Sequence, residues 1–139
     1  MTVAIARVTA DPLDVAEHER AVTRDDAGAH VVFSGVVRTH DHGRDVASLS
    51  YEAHPTAQAM LEKVAGEIAA RPEVLSVAAS HRVGDLRVGD VALVVAVSCA
   101  HRGAAFEACA LTVDEIKHRL PVWKHQVFTD GSDEWVNCP

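Results

Sequence analysis

The sequence predicts an α+β fold, a single domain over residues 1–139 with a largely antiparallel sheet, two long helices and one short helix. Seven short segments have the alternating or unbroken apolar pattern of strands, and three others repeat their apolar residues at helical spacing. In chain order they read β, α, β, β, α, β, β, α, β, β. Strands that follow one another in adjacent pairs favour antiparallel pairing over the strand–helix alternation of a parallel sheet.

The elements follow from local chemistry. Residues 3–8 alternate as a first or edge strand, and Asp11-Pro12 offers a cap and a first-turn proline for a short helix through Val22. Asp25-Asp26-Ala27-Gly28 is turn chemistry, and residues 29–37, rich in Val with one internal Gly35, form the next strand. Residues 39–45 contain no apolar side chain and are expected to be a mobile loop. A strand over 46–53 is followed by a long helix from Pro55, with Ala57, Met60, Leu61, Val64 and Ile68 at helical spacing and Pro72 beyond its end. Residues 74–83 and 91–99 are two further strands, joined by 84–90. After the turn at Ala100-His101-Arg102-Gly103, a second long helix presents Phe106, Cys109, Val113, Ile116 and Leu120 as its apolar stripe and stops at Pro121. Residues 122–128 and 134–136 close the chain as a hairpin across Asp130-Gly131-Ser132.

Composition narrows the function. The 139 residues carry a net charge of −7, which argues against nucleic acid as a partner, although an acidic shell can surround a small basic pocket. Cys99, Cys109 and Cys138 make an odd count without CxxC spacing, so neither a disulfide framework nor a zinc knuckle is expected. The N-terminal stretch lacks the basic start and apolar run of a signal peptide, and the longest apolar stretch, 91–97, is too short to span a bilayer. The expected setting is the cytoplasm, with reduced thiols and no membrane contact.

Lysine is scarce. Of 13 basic residues only Lys63, Lys117 and Lys124 are lysines, and two of these fall within Lys117-His118-Arg119-Leu120-Pro121-Val122-Trp123-Lys124. Lys117 also suits a helix C-terminus as a solvated cation, whereas Lys124 lies past the proline in a strand. His101 and Arg102 stand at a strand-to-helix turn, where unpaired N–H groups favour anions; the simpler reading is a turn cap and a surface ion pair. Arg38 ends an apolar strand. The run His40-Asp41-His42 could touch a metal, but a glycine-flanked loop supplies no third fixed ligand, so no metal is expected. Cys99, two residues before His101, could be a nucleophile beside its base, yet a cysteine ending a Val-rich strand reads more simply as core filler.

In order along the chain, Phe-Ser-Gly-Val-Val-Arg (33–38), His-Arg-Val-Gly-Asp-Leu (81–86), Ser-Cys-Ala-His-Arg (98–102) and Pro-Val-Trp-Lys (121–124), with Lys117 seven residues before Lys124, resemble the molybdopterin synthase large-subunit family. The resemblance runs from about Gly28 to Val136. It implies an α/β hammerhead-type fold and a homodimer that becomes a heterotetramer with two small ubiquitin-like sulfur carriers, each ending in a Gly-Gly thiocarboxylate. It implies sulfur transfer to cyclic pyranopterin monophosphate, forming the dithiolene of the molybdenum cofactor, with no further cofactor. Lys117 and Lys124 match the family's catalytic lysines. Arg38, His101 and Arg102 match its contacts to the substrate anion, with Val36 and Val37 in the same binding turn and Gln126 among the substrate-binding residues. Val36 stands where some members place a lysine, Gln126 where a glutamate is frequent, and the sequence stops at Pro139, short of the basic tail that many relatives extend.

The residue types suit that chemistry. A phosphorylated anion calls for charge-assisted hydrogen bonds. Because the attacking sulfur arrives on a partner, no catalytic cysteine is needed, while proton transfer and stabilisation of developing charge are. Two rivals stay open at this point. One is a non-catalytic anion-binding subunit that kept the fold, and the other is a Cys99–His101 hydrolase or transferase.

Overall fold

The structure, a computed structural model, describes residues 2–137. Two sheets meet along a seam. The first has the order β1 (Thr2–Thr9), β5 (Val74–Arg82), β7 (Val91–Cys99), β2 (Ala29–Val36). The second has the order β3 (His40–Asp41), β4 (Arg44–Ala53), β8 (Val122–Phe128), β9 (Asp133–Val136), and β6 (Gly84–Leu86) also pairs with β4. Every pairing is antiparallel except β1 with β5, which run parallel with Val3 opposite Val77 and Thr9 opposite Arg82. The expected single sheet is therefore two, with one parallel edge.

The central strands β5 and β7 are buried almost throughout because helices cover both faces of the first sheet. On one face α1 (Val15–Val22) packs Val22 against Ala78 and Ala96. On the other, α2 (Ala57–Ala69) and α3 (Arg102–Arg119) cover Val77, Ala79, Val95 and Val97. Residues two apart on a strand share a face, so Ala78 and Ala96 sort to one side and their neighbours to the other. His18 of α1 is fully buried but satisfied, with Nδ1 2.7 Å from the Asp14 carbonyl and Nε2 2.7 Å from Ser80 Oγ.

The cap of α1 is Asp14, whose carboxylate accepts from the Glu17 N–H, rather than Asp11. The Asp11 N–H instead donates to Thr9 Oγ1, closing a turn before the helix. Helix α2 ends before Pro72 as expected, and its Gln58 borders strand β1 by accepting from Val8 N–H and donating to the Ala6 carbonyl, both at 2.7 Å. An amide side chain thereby occupies backbone groups that would otherwise leave a sheet edge open. On α3 the stripe is displaced from expectation. Ala105, Ala108, Cys109, Thr112, Val113 and Ile116 face the sheet, while Phe106 is 61% exposed. Two alanines let the helix lie close against β2 and β7, and that orientation turns Phe106 outward.

Residues 39–45 are not a mobile loop. His40–Asp41 pairs with Arg44 and Asp45 across a two-residue turn, with φ of 51° at His42 and 76° at Gly43. Two consecutive left-handed residues match the right-handed twist of a hairpin. Segment 84–90, expected only to connect, contributes β6, which pairs with Leu49 to Tyr51 of β4. Among the described residues no helix is long and apolar enough to cross a membrane.

Candidate active site

A cavity of about 220 Å³ opens at the seam between the sheets. The end of β2 and the residues after it supply Val36, Val37 and Arg38; α3 supplies Lys117; β8 supplies Lys124 and Gln126. Backbone pairing sets the position of this turn, since Val37 N–H donates to the Asp90 carbonyl at 2.9 Å and Gly89 N–H donates to the Val37 carbonyl at 2.7 Å. Lys124 and Gln126 lie opposite Tyr51 and Leu49 in the β4–β8 register, and alternation puts all four on the cavity side. Pro121 ends α3 and sends the chain directly into β8, so Lys117 and Lys124 reach one cavity from two elements. The neighbouring Arg119 is drawn away by a two-pronged pair with Glu67, both contacts at 2.9 Å.

The cavity's carboxylate is Asp41, whose side chain is only 12% exposed. One oxygen accepts from Arg38 at 3.0 Å and the other from Gln126 Nε2 at 2.7 Å. The Gln126 hydrogen bond, then that of Arg38 and the charges of Lys124 and His42, hold this carboxyl below the usual aspartate range. Gln126 Nε2 also donates to Glu134 at 2.9 Å. Arg38, Lys117 and Lys124 against Asp41 leave the cavity net cationic within an acidic chain. Such a pocket attracts a compact anion and holds donors where negative charge can develop.

His101 and Arg102 are not part of this cavity. Both are exposed at the N-terminus of α3, where His101 occupies the cap position. Fifteen residues of helix separate Arg102 from Lys117, about 22 Å along the axis. Cys99 is also absent from the lining. It is fully buried, and burial pushes its thiol up from its ordinary value, the wrong direction for a nucleophile. Cys138 lies outside the described residues.

Three polar lining residues, Asp41, Tyr51 and His81, are not among the expected site residues. Asp41 sat in a stretch classed as mobile, although its place three residues after Arg38 was a usable signal. Tyr51 lies in a strand whose pattern gives it no site role, and His81, which opens the 81–86 string of the family resemblance, has none assigned there; a histidine in the Val-rich 74–83 run was the cue. Glu134 does place a third ligand-type atom near Asp41 and His42, all within 4.8 Å, which the loop reading had not foreseen. Both Asp41 oxygens already accept from Arg38 and Gln126, so nothing in their arrangement calls for an ion.

With a cationic cavity at the junction of its two sheets, this α+β protein has the features of one that takes a small anion. The particular family follows from its relatives. The family model described as MoaE protein matches residues 8–119, and the chain belongs to that family. It is 41% identical over 133 residues to a molybdopterin synthase catalytic subunit of a Nostoc species, covering 94% of this chain and 80% of the relative. It is 38% identical over 131 residues to molybdopterin synthase catalytic subunit 1 of Mycobacterium tuberculosis, covering 94% and 88%. The crystal structure of molybdopterin synthase from Staphylococcus aureus superposes with a TM-score of 0.84 at 30% identity, covering 93% of this chain and 94% of that one.

Proposed function

We propose that this chain is the catalytic subunit of a molybdopterin synthase, a sulfurtransferase that moves sulfur from a thiocarboxylated carrier onto cyclic pyranopterin monophosphate to form the dithiolene. The observation that carries the reading is the convergence of Lys117, Lys124 and Arg38 on one cavity whose lining, among the described residues, holds no thiol. A site that receives its sulfur from a partner needs charge and proton transfer, not a nucleophile of its own.

In this reading Arg38 binds the phosphorylated substrate, with Asp41 and Gln126 fixing its guanidinium and the adjoining backbone turn. Lys117 and Lys124 supply protons and stabilise the charge that develops as sulfur displaces oxygen. The carrier's C-terminal tail enters the same cavity and leaves as a carboxylate. His101 and Arg102 complete the substrate site from a second copy of the chain, because their own Lys117 lies too far along α3. Phe106, exposed one turn beyond Arg102, gives that face an apolar anchor for the second copy. Two-fold symmetry then makes two equal sites, and a carrier at each gives a heterotetramer. The cytoplasm, where reduced thiols persist, is the matching setting.

Titration tests the assignment. Arg38→Ala and Arg102→Ala should each weaken binding of the pyranopterin by about 10–100-fold, the loss of one charge-assisted hydrogen bond, and less so at high salt. Binding of the thiocarboxylated carrier should change far less. Equal losses for both ligands would remove these arginines from the substrate site, and a wild-type chain that binds neither ligand would remove the function.

A further inference from the structure

Strand β5 carries one aromatic polar residue, His81, on the face it shares with the apolar Val77 and Ala79. His81 is 1% exposed, yet it lines the cavity together with Lys117. Its partners determine its chemical form. Nδ1 lies 2.7 Å from the Arg82 carbonyl oxygen, and a carbonyl can only accept, so Nδ1 carries the proton. Burial holds the ring neutral, with its pKa lowered to about 4. The second nitrogen, Nε2, is therefore a bare acceptor. Position on the strand gives its direction, because His81 shares a face with Val77 and Ala79, the face that α2 and α3 cover, and Lys117 projects from the last turn of α3. Tyr51 stands edge-on to the imidazole at 4.8 Å and an interplanar angle of 83°, which limits how the ring can turn.

We infer that His81 is the positioning residue for Lys117: its Nε2 lone pair accepts a hydrogen bond from the Lys117 ammonium and aims that group into the cavity. An ammonium has three donors, so this bond leaves two for other partners, including the substrate. The strand, the Arg82 carbonyl and Tyr51 would thus form a rigid mount for a flexible side chain, which is what positioning of a reacting group requires. The inference rests on the proposed function for its kinetic arm only, since its geometry can be read in the resting protein.

Two substitutions separate the nitrogens. His81→Gln keeps an acceptor near the Nε2 position, and His81→Asn keeps a donor near the Nδ1 position. Expected is that His81→Asn lowers kcat by about 10²-fold with little change in the KM for pyranopterin, while His81→Gln retains most of kcat. Equal kcat values for the two, or rescue by Asn and not Gln, would overturn the inference by assigning the histidine to the backbone contact alone. Nitrogen NMR of the unmodified protein gives the arm that needs neither turnover nor a variant at position 81. At neutral pH His81 Nε2 should resonate as an unprotonated, hydrogen-bonded nitrogen, and its signal should move in Lys117→Met. An unmoved signal overturns the inference even if activity is normal. A moved signal in a chain that makes no dithiolene leaves the positioning intact and counts against the function instead.

Discussion

Replacing Lys117 or Lys124 with alanine should lower dithiolene formation by about 10²–10⁴-fold while the fold stays intact. Neither side chain belongs to the buried core, and both are only half-buried at the cavity wall. Alanine is the best helix former, so its substitution late in α3 costs no helical stability. At position 124 the strand pairing of β8 with β4 runs through the backbone and survives the loss of the side chain. The loss therefore falls on chemistry: a proton-transfer group or a cation at the developing charge disappears. Single-turnover rates for the two variants, with circular dichroism to report folding, provide the check. Near-normal turnover in both folded variants contradicts the assigned roles.

The second large effect is a recovery. With pyranopterin well below its KM, Arg102→Ala and Lys117→Ala should each lose most activity alone, yet a mixture of the two, unfolded and refolded together to exchange subunits, should regain activity. If each site draws Arg102 from one copy and Lys117 from the other, a mixed dimer has one doubly altered site and one intact site. Random pairing would then restore about a quarter of the wild-type sites. If each site is built within one copy, every site in the mixture keeps a defect and no activity returns. The roughly 22 Å of helix between the two residues makes the single-copy arrangement hard to reconcile with one small substrate.

Much of this architecture was legible because its signals are local. Pro72 and Pro121 end the helices, Gly131 marks the last hairpin with a φ of 88°, and Val-rich runs mark β5 and β7. The same locality explains the basic residues, since Arg38 follows the end of β2 and the two lysines flank the stop of α3. What escaped lies in pairings that apolar patterning does not report, some local and some distant. Strand β3 is two polar residues whose order comes from pairing with Arg44 and Asp45 and from the Asp41 contacts to Arg38 and Gln126. The parallel pairing of β1 with β5 joins segments some seventy residues apart, and no nearby pattern encodes it. Phe106 misled because apolar spacing alone does not say which face of α3 meets the sheet, and here the small residues Ala105 and Ala108 decide it. His101 and Arg102 stand at the strand-to-helix turn the sequence indicates, but their distance from the cavity follows from the length of α3 and the placement of its far end.

The most direct measurement mixes the purified chain with a thiocarboxylated carrier and cyclic pyranopterin monophosphate, then follows the pterin by mass spectrometry. The account predicts a product that gains two sulfurs, with carrier returned as carboxylate, and no such product when the carrier ends in an ordinary carboxylate or the chain lacks Lys117. Pterin that stays free of sulfur, in the presence of folded chain and competent carrier, would contradict it.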